Sequence, residues 1–326
     1  MDKSQPEKLF PDDPLLTAVQ TGFPIEPRPF RTIAERFDMT ERAVIDAING
    51  YRNEGIIRAF GPVFEPRKLG YTSTLVAARI DAERLPEVAV AMLSVHEITH
   101  NYVRDNDWNL WFTITVRNTE RLENIIKWFG KFPGVRGYMN LPVVRVYKIN
   151  AVWGLKDTFR ERAESEDSEP AAFDSAQIEL VRALQQEFPI LENPFRLISG
   201  KIKRKTDDVL ETVRGWVTDG TIRRFGARLN HLKMGYKTNV LTAWGGANID
   251  RWGEKFAKLD TISHCYRREP NQNWPYELYA MVHARSDSSL HRTIKTMRDI
   301  APGAKMVRLK TLYELKKTVM KYFTEE

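Results

Sequence analysis

The apolar positions of this chain follow two rhythms in turn, and the whole alternation then recurs. From residue 14 to 52 the spacing is helical. "PLLTAVQ", "PFRTIAERF" and "TERAVIDAINGYR" read as three short helices, the last with Val44, Ile45, Ile48 and Tyr51 on one stripe. Pro29 suits a first helical turn, where the N–H it lacks would be unpaired anyway, and Thr40 suits an N-cap. "GIIRAFGPVF" then gives a glycine stop and a short extended ribbon, so the unit predicts a winged helix-turn-helix. After Gly70 the rhythm becomes strand, helix, strand, strand, helix, strand. "YTSTLVAARI", "ERLPEVAVAML", "ITHNYVR", "NLWFTITV", "NTERLENIIKWFG" and "VVRVYKI" supply the six elements. That order predicts a ferredoxin-like α+β sandwich.

A constant shift carries Phe23, Pro24, Ile25, Pro29 and Phe30 onto Phe188, Pro189, Ile190, Pro194 and Phe195. The same shift carries Gly55, Ile57, Arg58, Phe60 and Gly61 onto Gly220, Ile222, Arg223, Phe225 and Gly226. The fold expectation is therefore α+β, with two tandem copies of a winged helix-turn-helix domain (12–65 and 174–230) and a βαββαβ domain (66–155 and 231–326). An acidic stretch at 156–173 reads as a solvated linker, and "ELKKTVMKYF" as a short helical tail.

The totals narrow the class. With 326 residues, 42% of them hydrophobic, the chain can bury substantial cores, which excludes disorder as the default. No apolar run approaches a membrane span, "MDKSQPEKLF" is no signal peptide, and one cysteine, Cys265, cannot form an internal disulfide. A cytoplasmic protein with no membrane partner is expected. A net charge of +7 suits either nucleic acid or a small polyanion.

Two clusters are too polar for core strands. "THNYVRDNDWNLWF", from Thr99, holds His100, Tyr102, Arg104, Trp108 and Trp111. "SHCYRREPNQNWPYELYAMVH", from Ser263, holds His264, Tyr266, Arg267, Arg268, Trp274, Tyr279 and His283. Aromatic rings suit the faces of a flat apolar ligand. The planar fork of arginine suits carboxylates, and histidine titrates near neutrality. Each residue also has a plainer reading: a satisfied strand histidine, or a core or domain-interface tryptophan. Arg58 and Arg223 either line a slot or stand exposed on the ribbon. Alternation turns Cys265 to the packing face, while His96 reads as incidental and His231 and His291 as exposed. No metal-site spacing is read in the chain, so no structural metal is expected.

"GFPIEPRPF…IIRAFGPVFEPRKLGYTSTLVA…THNYVR…NLWFT" resembles one subunit of the siroheme decarboxylases. "IRRFGARLNHLKMGY…SHCYRREPNQNWPYELYAMVH" resembles the companion subunit. The resemblance covers nearly the whole chain and implies an AsnC/Lrp-like scaffold, in the fused D–L form associated with heme d1 biosynthesis. Domains of that type pair through their sheets, so an internal pseudo-dimer is expected, which can double as a homodimer. The activity implied is conversion of siroheme to 12,18-didecarboxysiroheme, two acetates becoming methyls. No cofactor is implied, because the iron belongs to the substrate. His264 and His100 are the implied proton donors, either being an alternative axial ligand to substrate iron. Substrate binding falls to Tyr102, Arg104, Trp108, Tyr266, Arg267, Arg268, Trp274, His283, Arg58 and Arg223.

One departure from the family pattern stands out. Where the first subunit commonly has histidine two residues after the arginine of "NYVRD", this chain has Asn106, which cannot act as an acid near pH 7. The chemistry is therefore expected mainly at the second cluster, or at one shared site.

The alternative is an AsnC/Lrp-type transcription regulator that binds DNA and a small effector. Its recognition helices would carry Glu41, Asp46 and Glu54 against Arg42 and Arg52, then Asp207, Asp208, Glu211 and Asp219 against Arg214. Anions so placed oppose approach to phosphates, and specific DNA binding is not expected.

Overall fold

The computed structural model describes residues 13–149, 152 and 171–324. The expected linker lies outside them apart from residues 171–173. The first copy opens with α1 (Pro14–Thr21), α2 (Pro29–Arg36) and α3 (Glu41–Asn53), then β1 (Ile57–Phe64). Local chemistry sets these boundaries. Asp13 caps α1 by accepting from the Leu15 and Leu16 amides, and Thr40 caps α3 by accepting from Ala43. After the break comes β2 (Thr72–Ile80), α4 (Leu85–Leu93), β3 (Ile98–Arg104), β4 (Leu110–Val116), α5 (Thr119–Phe129) and β5 (Val135–Ile149).

The second copy repeats the order. It comprises α6 (Ser175–Leu184), α7 (Pro194–Lys201), α8 (Thr206–Asp219) and β6 (Ile222–Leu229), then β7 (Thr238–Gly245), α9 (Ile249–Phe256), β8 (Ile262–Arg268), β9 (Leu278–Ala284), α10 (Asp287–Ile300) and β10 (Lys305–Lys317).

The ribbons expected to be wings pair with each other instead. β1 and β6 form an antiparallel two-stranded sheet in which Gly61 faces Gly226. A Cβ on Gly226, where φ is 151°, would lie 2.2 Å from the Val19 carbonyl oxygen, so only glycine lets α1 approach so closely. Around this sheet the helices of both copies share one core. Phe23 stacks on Phe225 with centroids 5.6 Å apart, and its counterpart Phe188 stacks on Phe60 at 5.6 Å. Each copy thus completes its core with the other's ribbon phenylalanine.

The remaining strands close into one barrel, β10-β3-β4-β2-β5-β8-β9-β7. Closure depends on two long strands that change partners. β5 pairs with β2 as far as Pro142 and with β8 from Val143 onward. β10 pairs with β7 as far as Lys310 and with β3 from Thr311. Apolar residues of α4 and α5 pack on the outer face of the first four-stranded half, and those of α9 and α10 on the second. The expected helical tail is not formed. Glu314–Lys317 continue β10, because pairing with β3 outweighs the intrinsic helix preference of a Glu/Lys-rich segment. Past Thr318 the chain lays Met320, Tyr322 and Phe323 into the helical core, tying barrel to helices. Among the described residues no helix is long and apolar enough to cross a membrane.

Candidate active site

Along β3, Asn101 and Val103 turn outward: the Asn101 amide reaches the Met92 sulfur at 3.6 Å, and Val103 joins the core under the helices. Period-two alternation therefore points His100, Tyr102 and Arg104 into the barrel. β8 is built likewise, with Cys265 buried against Gly253 of α9, and His264, Tyr266 and Arg268 directed inward. Both strands carry a register irregularity just before the histidine, between Ile98 and His100 and between Ile262 and His264. The extra residue at that point bears a hydroxyl. Thr99 Oγ1 and His100 Nδ1 share a hydrogen bond of 2.9 Å, and Ser263 Oγ and His264 Nδ1 share one of 2.7 Å. Each ring is thereby oriented, leaving Nε2 as the nitrogen for chemistry. β3 and β8 are opposite strands of the ring, so the two His–Tyr–Arg ladders face each other.

One end of the barrel is filled. Trp108, Trp111, Trp274, Tyr279, Met139, Leu141 and Leu309 form a closed apolar cluster drawn from both copies. Trp111 Nε1 donates to the Trp108 carbonyl at 2.5 Å, and Trp274 Nε1 to the Tyr279 hydroxyl at 2.8 Å. Arg104 and Arg268 sit beside this plug, over the rings of Tyr102 and Tyr266 at 5.1 and 5.3 Å. Arg104 Nη1 donates to the Leu309 carbonyl at 2.9 Å, and Arg268 Nη1 to that of Leu141 at 2.8 Å. Each of those leucines stands one residue before the last pair ahead of the partner switch, Lys310 in β10 and Pro142 in β5. The two arginines thus hold the crossovers, and burial brings Arg104 down to about 10.

The other end, where His100 and His264 stand, lies under the β1–β6 sheet. Arg58 is exposed but within electrostatic range of His100, Tyr102 and His231. Arg223 is more enclosed, 3.7 Å from Glu65, and within range of His264. His283, on β9, is buried and shares a short hydrogen bond with Asn239. Its ring lies 5.6 Å from that of His231. Burial, aided by neighbouring cations, holds His100, His264 and His231 at about 4 and His283 at about 2. Burial raises the Tyr102 phenol to about 12. The recess is consequently lined by neutral imidazoles and fixed positive charge.

The copies differ in detail. Lys317 pairs in register with His100 and Glu314 with Tyr102, whereas Ile149 pairs with His264 and Val146 with Tyr266. Thr115 bonds Ser73 at 3.1 Å on the first-copy strands matching those that carry His283 and Asn239.

Several sequence expectations need correction. Arg267 does not join the recess: alternation turns it toward α9, where it binds Asp250 at 2.9 Å and Glu277 at 3.2 Å. His231 is not a surface residue but a half-buried neighbour of His283. "HEITH", residues 96–100, does spell H-E-x-x-H, contrary to the reading that no metal spacing occurs. That motif works on a helix, where both histidines share a face. Here His96 is exposed in a turn and His100 is inside a strand, so the two do not converge. Asn106 lies at the plugged end, accepting from the Trp108 amide at 3.0 Å. Lys317, Glu314 and Asn239 were missed. Reading 314–323 as helix concealed the alternation that places Lys317 beside His100.

A duplicated strand-and-helix layer with a polar recess at the copy–copy interface defines the class. The family model "AsnC-like ligand binding domain" matches residues 68–148 and 233–316, and "Siroheme decarboxylase NirDL-like HTH domain" matches 12–58 and 177–223. A siroheme decarboxylase of Hydrogenobacter thermophilus is 29% identical over 322 residues, covering 96% of this chain and 95% of that protein. The siroheme decarboxylase alpha subunit of Desulfovibrio desulfuricans is 35% identical over 138 residues, covering 42% of this chain and 79% of that subunit. Among solved structures, the siroheme decarboxylase NirDL in co-complex with an iron-uroporphyrin III analogue superposes with a TM-score of 0.74. It is 26% identical, covering 95% of this chain and 94% of that one. The chain belongs to the siroheme decarboxylase family, in its fused form.

Proposed function

We propose that this chain decarboxylates siroheme to 12,18-didecarboxysiroheme as a step toward heme d1. The observation that carries the reading is the pair of hydroxyl-oriented histidines, His100 and His264, facing each other in a cationic recess of a family member. Siroheme is a flat macrocycle with eight carboxylates. Arg58 and Arg223 supply charge at the β1–β6 roof, and Tyr102 and Tyr266 offer ring faces below the histidines. Arg104 and Arg268 contribute by holding the walls, and Trp108 and Trp274 by closing the floor.

The chemistry follows from the proton balance. Protonating the pyrrole ring beside the carbon that bears the acetate creates an electron sink. The electron pair of the C–C bond moves into the ring as CO2 departs, leaving an exocyclic methylene. That carbon takes a proton to become methyl, and the ring carbon gives its own proton back. Each decarboxylation consumes one proton, two for the whole conversion, and requires no added oxidant, reductant or cofactor. Burial keeps the imidazoles of the recess neutral. A ligand with many carboxylates favours their protonated form, so the substrate itself arms His264 and His100 as acids. His283, with Nδ1 tied to Asn239, lies within electrostatic range of His264 and is the nearest candidate to relay a proton to it.

We further read each repeat as a helix-turn-helix whose ribbon strand pairs with that of the other copy, followed by a ferredoxin-like unit. The strand orders β5-β2-β4-β3 and β10-β7-β9-β8 support this. The paired copies inside one chain favour a working monomer, which light scattering can distinguish from a homodimer. For the regulator alternative, Arg28 and Arg52 are already tied to Glu41 and Glu187, and Arg42 to Asp46, around the first recognition helix. The test is anaerobic incubation with siroheme followed by mass spectrometry. Loss of two CO2 units is expected; an unchanged mass with folded protein, together with a DNA footprint at physiological salt, would replace the enzyme by the regulator.

A further inference from the structure

We propose that Lys317 fixes which way round a polycarboxylate macrocycle sits in the recess, by holding one rim carboxylate next to His100. The inference rests on the tetrapyrrole reading above. His100 and His264, Tyr102 and Tyr266, and Arg104 and Arg268 occupy matched registers on opposite strands. A flat ligand therefore meets nearly the same walls after a half-turn, and the two poses would present different acetates to a given histidine. The two walls differ in charge at two pairs of matched positions, Lys317 against Ile149 beside the histidines and Glu314 against Val146 beside the tyrosines, and only the first adds a cation. Lys317 stands in register with His100, and the position facing His264 is Ile149, which is buried and apolar.

The lysine is placed to act on a ligand. Its side chain is only 20% exposed, so its charge is felt in a partly desolvated setting, and it lies within electrostatic range of His100, His231 and His283. Its ion-pair partner, Glu314 at 3.2 Å, has a side chain that is 46% exposed. An incoming carboxylate can take the place of Glu314, which then turns to water. At the Ile149 position the same carboxylate would meet hydrocarbon. A charge-assisted hydrogen bond made in one pose alone favours that pose by about tenfold or more.

The experiment is a titration with iron-uroporphyrin III, followed by its Soret absorbance, joined to timed siroheme incubations. Lys317→Met is expected to weaken binding about tenfold or more, and Lys317→Arg to stay within about threefold of wild type. Glu314→Gln, which removes the competing anion and leaves the lysine, should tighten binding severalfold. Moving the charge across, in Lys317→Met/Ile149→Lys, should restore affinity and change which monodecarboxylated isomer accumulates first. Wild-type affinity and isomer order in Lys317→Met would overturn the assignment. Should that variant fail to fold, unchanged or weaker binding by Glu314→Gln overturns it equally. Wild-type protein that leaves the Soret band unaltered would overturn the tetrapyrrole site itself, and the assignment with it.

Discussion

Arg104 of the first copy donates to the carbonyl of Leu309 in the second, 2.9 Å away, at the point where β10 leaves β7 for β3. The bond joins the two copies where the barrel closes. A buried hydrogen bond from a charged donor contributes about 1.5–3 kcal/mol, and its loss leaves a desolvated carbonyl. Arg104→Met should therefore lower stability by about 2–4 kcal/mol, read as a drop in urea midpoint. Arg268→Met should do the same through Leu141. A normal midpoint with a raised KM would instead mark these arginines as carboxylate binders.

The histidines make stability depend on pH in a definite direction. His100, His264 and His231 are held at about 4 and His283 at about 2, below the ordinary value near 6.5. The folded state keeps them neutral, so as pH falls the unfolded chain binds protons first. Their contribution is complete above about pH 6.5 and is lost as pH falls from there toward 4. The limiting slope is about 1.4 kcal/mol per pH unit for each histidine, so several kcal/mol should be gone by about pH 5. Urea titrations at pH 7.5 and 5 measure this. His283→Gln should flatten the dependence, and an equal midpoint at both pH values for the wild type would contradict the burial of these rings.

The parts of the fold that could be read in advance are those governed by local rules. Thr40 and Pro29 mark helix starts because capping and the proline ring act within a turn, and a rough period-two run marks β4. The inward set His264, Tyr266 and Arg268 follows from alternation along β8, which the expectation for Cys265 respects and that for Arg267 does not. What could not be read is partner choice. Nothing within "GIIRAFGPVF" says that its partner is its own repeat, because that pairing depends on Phe23–Phe225 stacking across copies. Nor does a Glu- and Lys-rich end announce that it is the second half of a strand. Its register with β3 is decided by the barrel, and Lys317 became visible only once that register was known.

The two histidines can now be compared on geometry alone. His264 shares its electrostatic surroundings with His283 and Arg223, and Ile149 stands in register beside it. His100 has Lys317 in that position, and Thr115 and Ser73 occupy the places of His283 and Asn239. Once the carboxylates of a bound macrocycle favour the protonated imidazoles, His283 can pass a proton toward His264, whereas Thr115 and Ser73, the matching groups in the first copy, are hydroxyls that do not ionise near neutrality. His264→Ala should therefore lower kcat by about 10²–10⁴-fold, the usual contribution of a general acid, with little change in affinity for iron-uroporphyrin III. His100→Ala should lower kcat less and weaken binding more, because it removes a wall of the recess next to Lys317 and within electrostatic range of Arg58. His283→Ala should resemble a mild His264→Ala, with the pH–rate profile displaced rather than the affinity. Single-turnover rates and Soret titrations on the three variants separate these outcomes. Equal kcat losses at His100 and His264, with no effect at His283, would mean that both ladders work alike and that the asymmetry between the copies does not reach the chemistry.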